Sequence, residues 1–134
     1  MFVERYNNFK VLQGYGLTET MAIVASIFTE EETERYRSSG LLSPNVEAKI
    51  VDPDTGRVLG FDQTGELWFR SPTVMKGYFK NEEATAFTID SEGWLKTGVL
   101  CYIDSEGFVF VVAPDELEAV LLAHPEIAVA EVIP

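Results

Sequence analysis

The spacing of apolar positions divides the chain into three stretches. The middle one, from about residue 40 to 112, reads as strands. Val46-Glu47-Ala48-Lys49-Ile50-Val51 alternates apolar and polar side chains with period two, as a half-buried strand does. It runs into Asp52-Pro53-Asp54-Thr55-Gly56, where Pro presets one corner of a turn and Gly supplies positive φ. Gly65-Glu66-Leu67-Trp68-Phe69-Arg70 is a second strand, ended by Ser71-Pro72. In the first stretch, Phe2 to Tyr6 and then Phe9 to Leu12 read as the tail of a helix and a short strand. Met21 to Ile27 is apolar except for Ser26 and is expected to be buried in either conformation. In the last stretch Leu117, Val120, Leu121 and His124 fall at helical spacing between Pro114 and Pro125, which predicts an amphipathic helix. Ile127 to Ile133 predicts a strand after it.

Turn chemistry adds detail. Asn81 can cap free amides while Glu82 and Glu83 occupy a favourable first turn, so a short helix is expected to start there. Ile89-Asp90-Ser91-Glu92-Gly93-Trp94 recurs as Ile103-Asp104-Ser105-Glu106-Gly107-Phe108. Each copy places Gly after turn-forming residues and an aromatic after Gly, which predicts two similar hairpin turns with a bulged Gly. A calcium loop needs more spaced oxygen ligands and a terminal Glu, so Asp104 and Glu106 are read as turn residues.

Composition narrows the function classes. The 134 residues carry 10 Lys and Arg against 22 Asp and Glu, a formal net charge of −12. That excess repels nucleic acid and anionic membrane surfaces, which excludes both as main partners. No Lys or Arg follows Lys96, although Asp104, Glu106, Asp115, Glu116, Glu118, Glu126 and Glu131 do. A single cysteine, Cys101, in an apolar run predicts a buried, inert thiol and a reducing compartment. His124, at a predicted helix end before Pro125, fits a cap, not a catalytic base. Neither a membrane-length apolar run nor a targeting signal is visible, so a cytoplasmic protein is expected.

One segment carries candidate chemistry: Gln13-Gly14-Tyr15-Gly16-Leu17-Thr18-Glu19. Glycines let a backbone approach a planar ligand, Tyr15 offers a ring face, and Thr18 with Glu19 supplies a hydroxyl and a carboxylate. That set suits a nucleotide bound with a divalent cation, the carboxylate on the metal and the hydroxyl at a phosphate oxygen.

This motif is followed in order by Thr64-Gly65-Glu66-Leu67-Trp68-Phe69-Arg70-Ser71-Pro72, Met75-Lys76-Gly77-Tyr78 and Glu92-Gly93-Trp94-Leu95-Lys96-Thr97-Gly98. Together they resemble the adenylate-forming acyl-CoA ligases, and most nearly the plant 4-coumarate–CoA ligase-like group. The resemblance implies an α+β chain, a fragment of the AMP-binding ligase fold. Residues 1–39 would be the end of the AMP-binding core, 40–112 a β-rich subdomain, and 113–134 a piece of the mobile C-terminal domain. It implies ATP or AMP, Mg2+ and coenzyme A as cofactors, and a small carboxylic acid as substrate. Tyr15 would stack on adenine, Gln13, Gly14 and Gly16 would line the adenine and acyl pocket, Thr18 would touch the α-phosphate, and Glu19 would hold the magnesium. Trp68, Trp94 and Tyr78 are expected to pack the β-rich subdomain.

Departures from the family pattern bear on activity. Where the family has an Asp that accepts hydrogen bonds from both ribose hydroxyls, this chain has Val99. Two lost bonds to a charged group, each worth about 1.5–3 kcal/mol, would weaken nucleotide binding about a hundredfold or more. The family's basic hinge, about a dozen residues, is missing between Val112 and Ala113. The family's phosphate loop and its C-terminal catalytic Lys have no counterpart either, and Lys96 does not replace the latter by motif. No catalytic residue is therefore expected intact. The expectation is a non-catalytic relative of the ligases, with a weak nucleotide-binding module or a module docking on a full-length ligase as the alternative. A chain that does not fold stably is a third reading, against which cooperative unfolding would count.

Overall fold

The structure is a computed structural model and describes residues 12–112. The expected helix after Pro114, the strand at 127–133 and the opening segment up to residue 11 lie outside the described residues. Within them the chain forms two antiparallel sheets. The first contains β1 (Gly14–Gly16), β2 (Ile23–Ser26) and β3 (Leu41–Leu42), in the order β1-β2-β3. The second is a meander of β4 (Glu47–Val51), β5 (Gly65–Arg70), β6 (Leu95–Ile103) and β7 (Val109–Val111). Short 3-10 turns at Thr18–Thr20 and Glu31–Glu34 and one helix, α1 (Glu82–Thr88), complete it.

Period-two alternation builds the second sheet as the sequence predicts. Leu67 and Phe69 of β5 are fully buried, while Glu66, Trp68 and Arg70 point to the other face. The inner face joins Ile50, Cys101 and Val109 to Val24 and Ala25 of β2, so one core lies between the two sheets. Each fully buried side chain of this size contributes about 1.5–3 kcal/mol. The sheets are also tied along an edge: Ser39 N–H donates to the Val109 carbonyl at 2.8 Å, and Val109 N–H to the Gly40 carbonyl at 3.0 Å. On the outer face the Lys49 ammonium lies 4.0 Å from the Trp94 ring centroid and 4.8 Å from that of Trp68. These two tryptophans pack the sheet, as expected.

The Asx-type turns and the helix cap form where the sequence places them. Asp90 Oδ1 accepts from the N–H groups of Glu92 and Trp94, each at 2.9 Å. Asp104 Oδ1 does the same for Glu106 at 3.0 Å and Phe108 at 2.9 Å. Asn81 Oδ1 accepts from Ala84 N–H at 3.0 Å and starts α1.

The apolar stretch at 21–27 differs from expectation. Val24 and Ala25 are fully buried, but Met21 is 77% and Ile23 59% exposed. The reason is geometric: β2 lies in a sheet of which one face meets the core, and Met21, at φ 52, leaves the preceding 3-10 turn pointing outward.

Candidate functional site

β1 and the 3-10 turn after it carry the candidate nucleotide motif. Tyr15 pairs with Ala25, and its half-buried ring leans on Phe69, with centroids 6.1 Å apart and planes tilted by 42°. Its hydroxyl is buried with no hydrogen-bond partner among the described residues. Burial pushes the phenol up to about 12, with smaller effects from nearby Cys101 and Glu19; the adjacent Thr97 hydroxyl opposes the rise. That hydroxyl is otherwise engaged, donating to the Leu67 carbonyl at 2.7 Å.

Gly16 has a structural reason of its own. A side chain there would place its Cβ 2.6 Å from the Ala22 carbonyl oxygen, so β1 and β2 approach this closely only with Gly. Gln13, Gly14, Gly16 and Thr18 are exposed. Thr20, the residue after Glu19, is fully buried; its Oγ1 accepts from Leu17 N–H at 2.9 Å and lies 2.8 Å from the Leu17 carbonyl, which locks the turn.

Glu19 faces a cleft of about 370 Å³ lined among others by Glu66, Tyr78, Lys96, Thr97 and Gly98. Of the expected site residues Glu19 lines it; Gln13, Gly14, Tyr15, Gly16 and Thr18 do not. The strand pairing explains the opposite wall. Glu66 pairs with Leu100 and Trp68 with Lys96, so Thr97, Gly98 and Val99 bulge opposite Leu67 alone. Gly98, at φ 70, donates its N–H to Glu66 Oε1 at 2.9 Å. Val99 N–H donates to Thr97 Oγ1 at 3.1 Å, and the Val99 side chain is half-buried against the core.

Tyr78 departs from expectation. It is 38% exposed, lines the cleft, and donates its hydroxyl to Glu19 Oε1 at 2.7 Å. Its sequence neighbourhood signals a loop, and nothing local reveals a contact across 59 residues of chain. That bond to the Glu19 carboxylate holds the phenol above its usual pKa. Cys101 is buried, and burial pushes its thiol up to about 12, as an inert core cysteine requires.

The chemistry of the donor set fits a magnesium ion carried by a polyphosphate. No group of three or more His, Cys, Asp or Glu able to hold a metal exists among the described residues. A single carboxylate is enough for Mg2+, which keeps several waters and takes its remaining ligands from phosphate oxygens.

The profile of the AMP-binding enzyme family matches residues 1–79 of this chain. The chain belongs to the adenylate-forming, AMP-binding ligase family. It is 71% identical to 4-coumarate–CoA ligase-like 2 of Arabidopsis thaliana, over 99% of this chain and 26% of that protein. It is 57% identical to peroxisomal OPC-8:0-CoA ligase 1 of the same plant, over 99% of this chain and 27% of that protein. Among solved structures, O-succinylbenzoate coenzyme A synthetase of Bacillus subtilis in complex with AMP superimposes with a TM-score of 0.74 at 35% identity. That match covers 96% of this chain and 30% of the other. The same enzyme in complex with ATP and magnesium ion gives 0.73 at 36% identity, over 93% of this chain and 29% of the other. The AMP-binding ligase chain thus spans about a quarter of the length of the curated relatives it matches. The alignment to the first relative runs over 147 positions against 134 residues here, so that relative carries at least 13 residues that this chain lacks within the matched span. Family members act on carboxylic acids with coenzyme A, and nucleotide and magnesium use belongs to the family. No described helix is long and apolar enough to cross a membrane.

Proposed function

We propose that this AMP-binding ligase chain is a non-catalytic relative that holds an adenine nucleotide with Mg2+ weakly, without acyl transfer. In this reading Tyr15 offers its remaining ring face to adenine, Gln13, Gly14 and Gly16 border it, Thr18 meets the α-phosphate, and Glu19 meets the cation. The observation that carries the reading is Val99. At the position of the family's ribose-binding Asp, an apolar side chain packs on the core and has no acceptor for either ribose hydroxyl. The shortfall of at least 13 residues within the matched span supports it further, because a deletion at the expected hinge removes the pivot that the two half-reactions need. The acid that a full-length relative would adenylate is a hydroxycinnamate or a fatty acid, with coenzyme A as acceptor; here neither is turned over. We place the chain in the cytoplasm.

The test is ATP–pyrophosphate exchange with purified chain and either acid, alongside calorimetry with ATP and Mg2+. Exchange dependent on the acid overturns the non-catalytic reading. No heat above the millimolar range, unchanged in Tyr15→Ala, overturns nucleotide binding. Imaging of a tagged chain against a peroxisomal marker tests the location.

A second reading, docking on a full-length ligase, is favoured by the first sheet. Leu12, Met21, Ile23 and Phe28 are each more than half exposed around β1 and β2. Co-elution of the chain with a full-length 4-coumarate–CoA ligase-like enzyme, lost in Ile23→Asp, is the expected result; separate elution at micromolar concentrations counts against it.

A further inference from the structure

Glu19 is held from two points of one loop. Met75 N–H donates to its backbone carbonyl at 2.8 Å, and the Tyr78 hydroxyl donates to its Oε1 at 2.7 Å. Tyr78 is in turn mounted on α1. Its N–H donates to Thr85 Oγ1 at 2.9 Å, and Thr85 Oγ1 donates to the Asn81 carbonyl at 2.8 Å, beside the helix cap. Gly77, at φ +148, seals the mount, because a Cβ there would meet Thr85 Oγ1 at 2.8 Å. The phenol therefore arrives from a fixed direction. With more than a third of its surface exposed, the residue has little burial to gain, so core packing does not account for its place.

Across the cleft the Glu66 carboxylate is engaged in the same way, one oxygen taking the Gly98 N–H. Neither carboxylate has a cationic partner among the described residues, and each is pinned by an uncharged donor that leaves one oxygen open.

The geometry points to Tyr78 as a positioning residue for the cation: by donating to Glu19 Oε1 from a rigid mount, it fixes the carboxylate and keeps Oε2 for a divalent ion carried by a polyphosphate. Outer donors of this kind orient metal ligands and set their affinity. The inference rests on the reading that Glu19 meets a nucleotide-bound cation.

The test uses the full chain with Mn2+ as the probe, measuring binding of Mn–ATP and of ATP without metal by calorimetry, with bound Mn2+ followed by electron paramagnetic resonance. Tyr78→Phe is expected to weaken Mn–ATP about tenfold and to leave metal-free ATP unchanged. In a Glu19→Gln background the same substitution is expected to change nothing. Thr85→Val, which removes the mount and keeps the phenol, is expected to give a smaller loss in the same direction, again only with Glu19 present. Tyr78→Phe that binds Mn–ATP like wild type, or that loses as much without metal or without Glu19, overturns the positioning role. Wild-type chain with no metal-dependent gain at all overturns the Glu19 reading and the role of Tyr78 together. The first failure strikes Tyr78 alone, so the two are told apart by the wild-type measurement.

Discussion

Gly98 N–H donates to Glu66 Oε1 at 2.9 Å across the bulge in which β6 carries two more residues than β5. The bond fastens the Thr97–Val99 bulge to the strand it has left. It also aims one wall of the cleft. Glu66→Ala should cost about 1 kcal/mol, less than a buried charge-assisted bond because the pair is exposed to solvent. Urea unfolding measures the loss. A change below about 0.3 kcal/mol would mean that the bulge holds its shape without Glu66.

Val99 sits at the end of that bulge, and in the proposed reading it stands where a ribose-binding carboxylate would be, so Val99→Asp tests that reading. Val99→Asp gives up apolar contact with the core and brings a charge to a half-buried position, so a loss of about 1–2 kcal/mol is expected. It should raise affinity for Mg–ATP at least about tenfold, since two charge-assisted bonds to ribose become possible. Thermal unfolding and calorimetry on the same sample check both halves. Lower stability with unchanged affinity would show that another feature limits nucleotide binding.

Two turns of the same wording adopt the same geometry, and their glycines test the shared logic. Gly93 and Gly107 lie at φ 82 and 90, where an L side chain is strained. Alanine at either site should cost about 1–2 kcal/mol from conformation alone, because the nearest heavy atom to an added Cβ is 4.0 Å away at Gly93 and 3.8 Å at Gly107. Equal losses from urea unfolding are expected. A larger loss at one site would place a contact there that the repeat does not predict.

What was legible in the sequence is what rests on near neighbours in the chain. The Asp–Gly turns, the Asn81 cap and the alternation of β5 each depend on residues within four or five positions, and the structure has them where the pattern puts them; β4 forms as a strand, but its neighbours Ile50 and Val51 are both buried. The split into two sheets was not legible. β3 is two residues long, and it is defined by pairing with β2, not by a run of its own. Met21 and Ile23 read as buried because hydropathy does not say which face of a three-stranded sheet meets a core. The cleft was half legible. Glu19 announced itself by motif, whereas Tyr78 reaches it only because α1 and the loop before it fold back over the 3-10 turn. Val99 was legible as an apolar residue where the resemblance implies an Asp, and the packing of its side chain on the core was not.

Tyr15 keeps a hydroxyl that the fold does not need. Buried with no hydrogen-bond partner among the described residues, it costs stability that Phe would recover, so Tyr15→Phe should stabilise the chain by about 1 kcal/mol at pH 7. The same substitution should alter the alkaline limb of stability. The folded phenol is pushed up to about 12 against an ordinary value of 10.0, and the Cys101 thiol up to about 12 against 9.0. Between those limits the unfolded chain releases protons that the folded chain retains. The unfolded state therefore binds fewer protons, and stability falls as pH rises from about 9 to 12. Below that window both groups are protonated in both states and the slope vanishes. Tyr15→Phe removes one contribution and leaves those of Cys101 and Tyr78, whose phenol is also held above its usual value, so its melting temperature should fall less steeply than that of wild type over the same range. Parallel curves would mean that the phenol ionises as easily in the folded protein as in the unfolded one, and that its burial does not hold in solution.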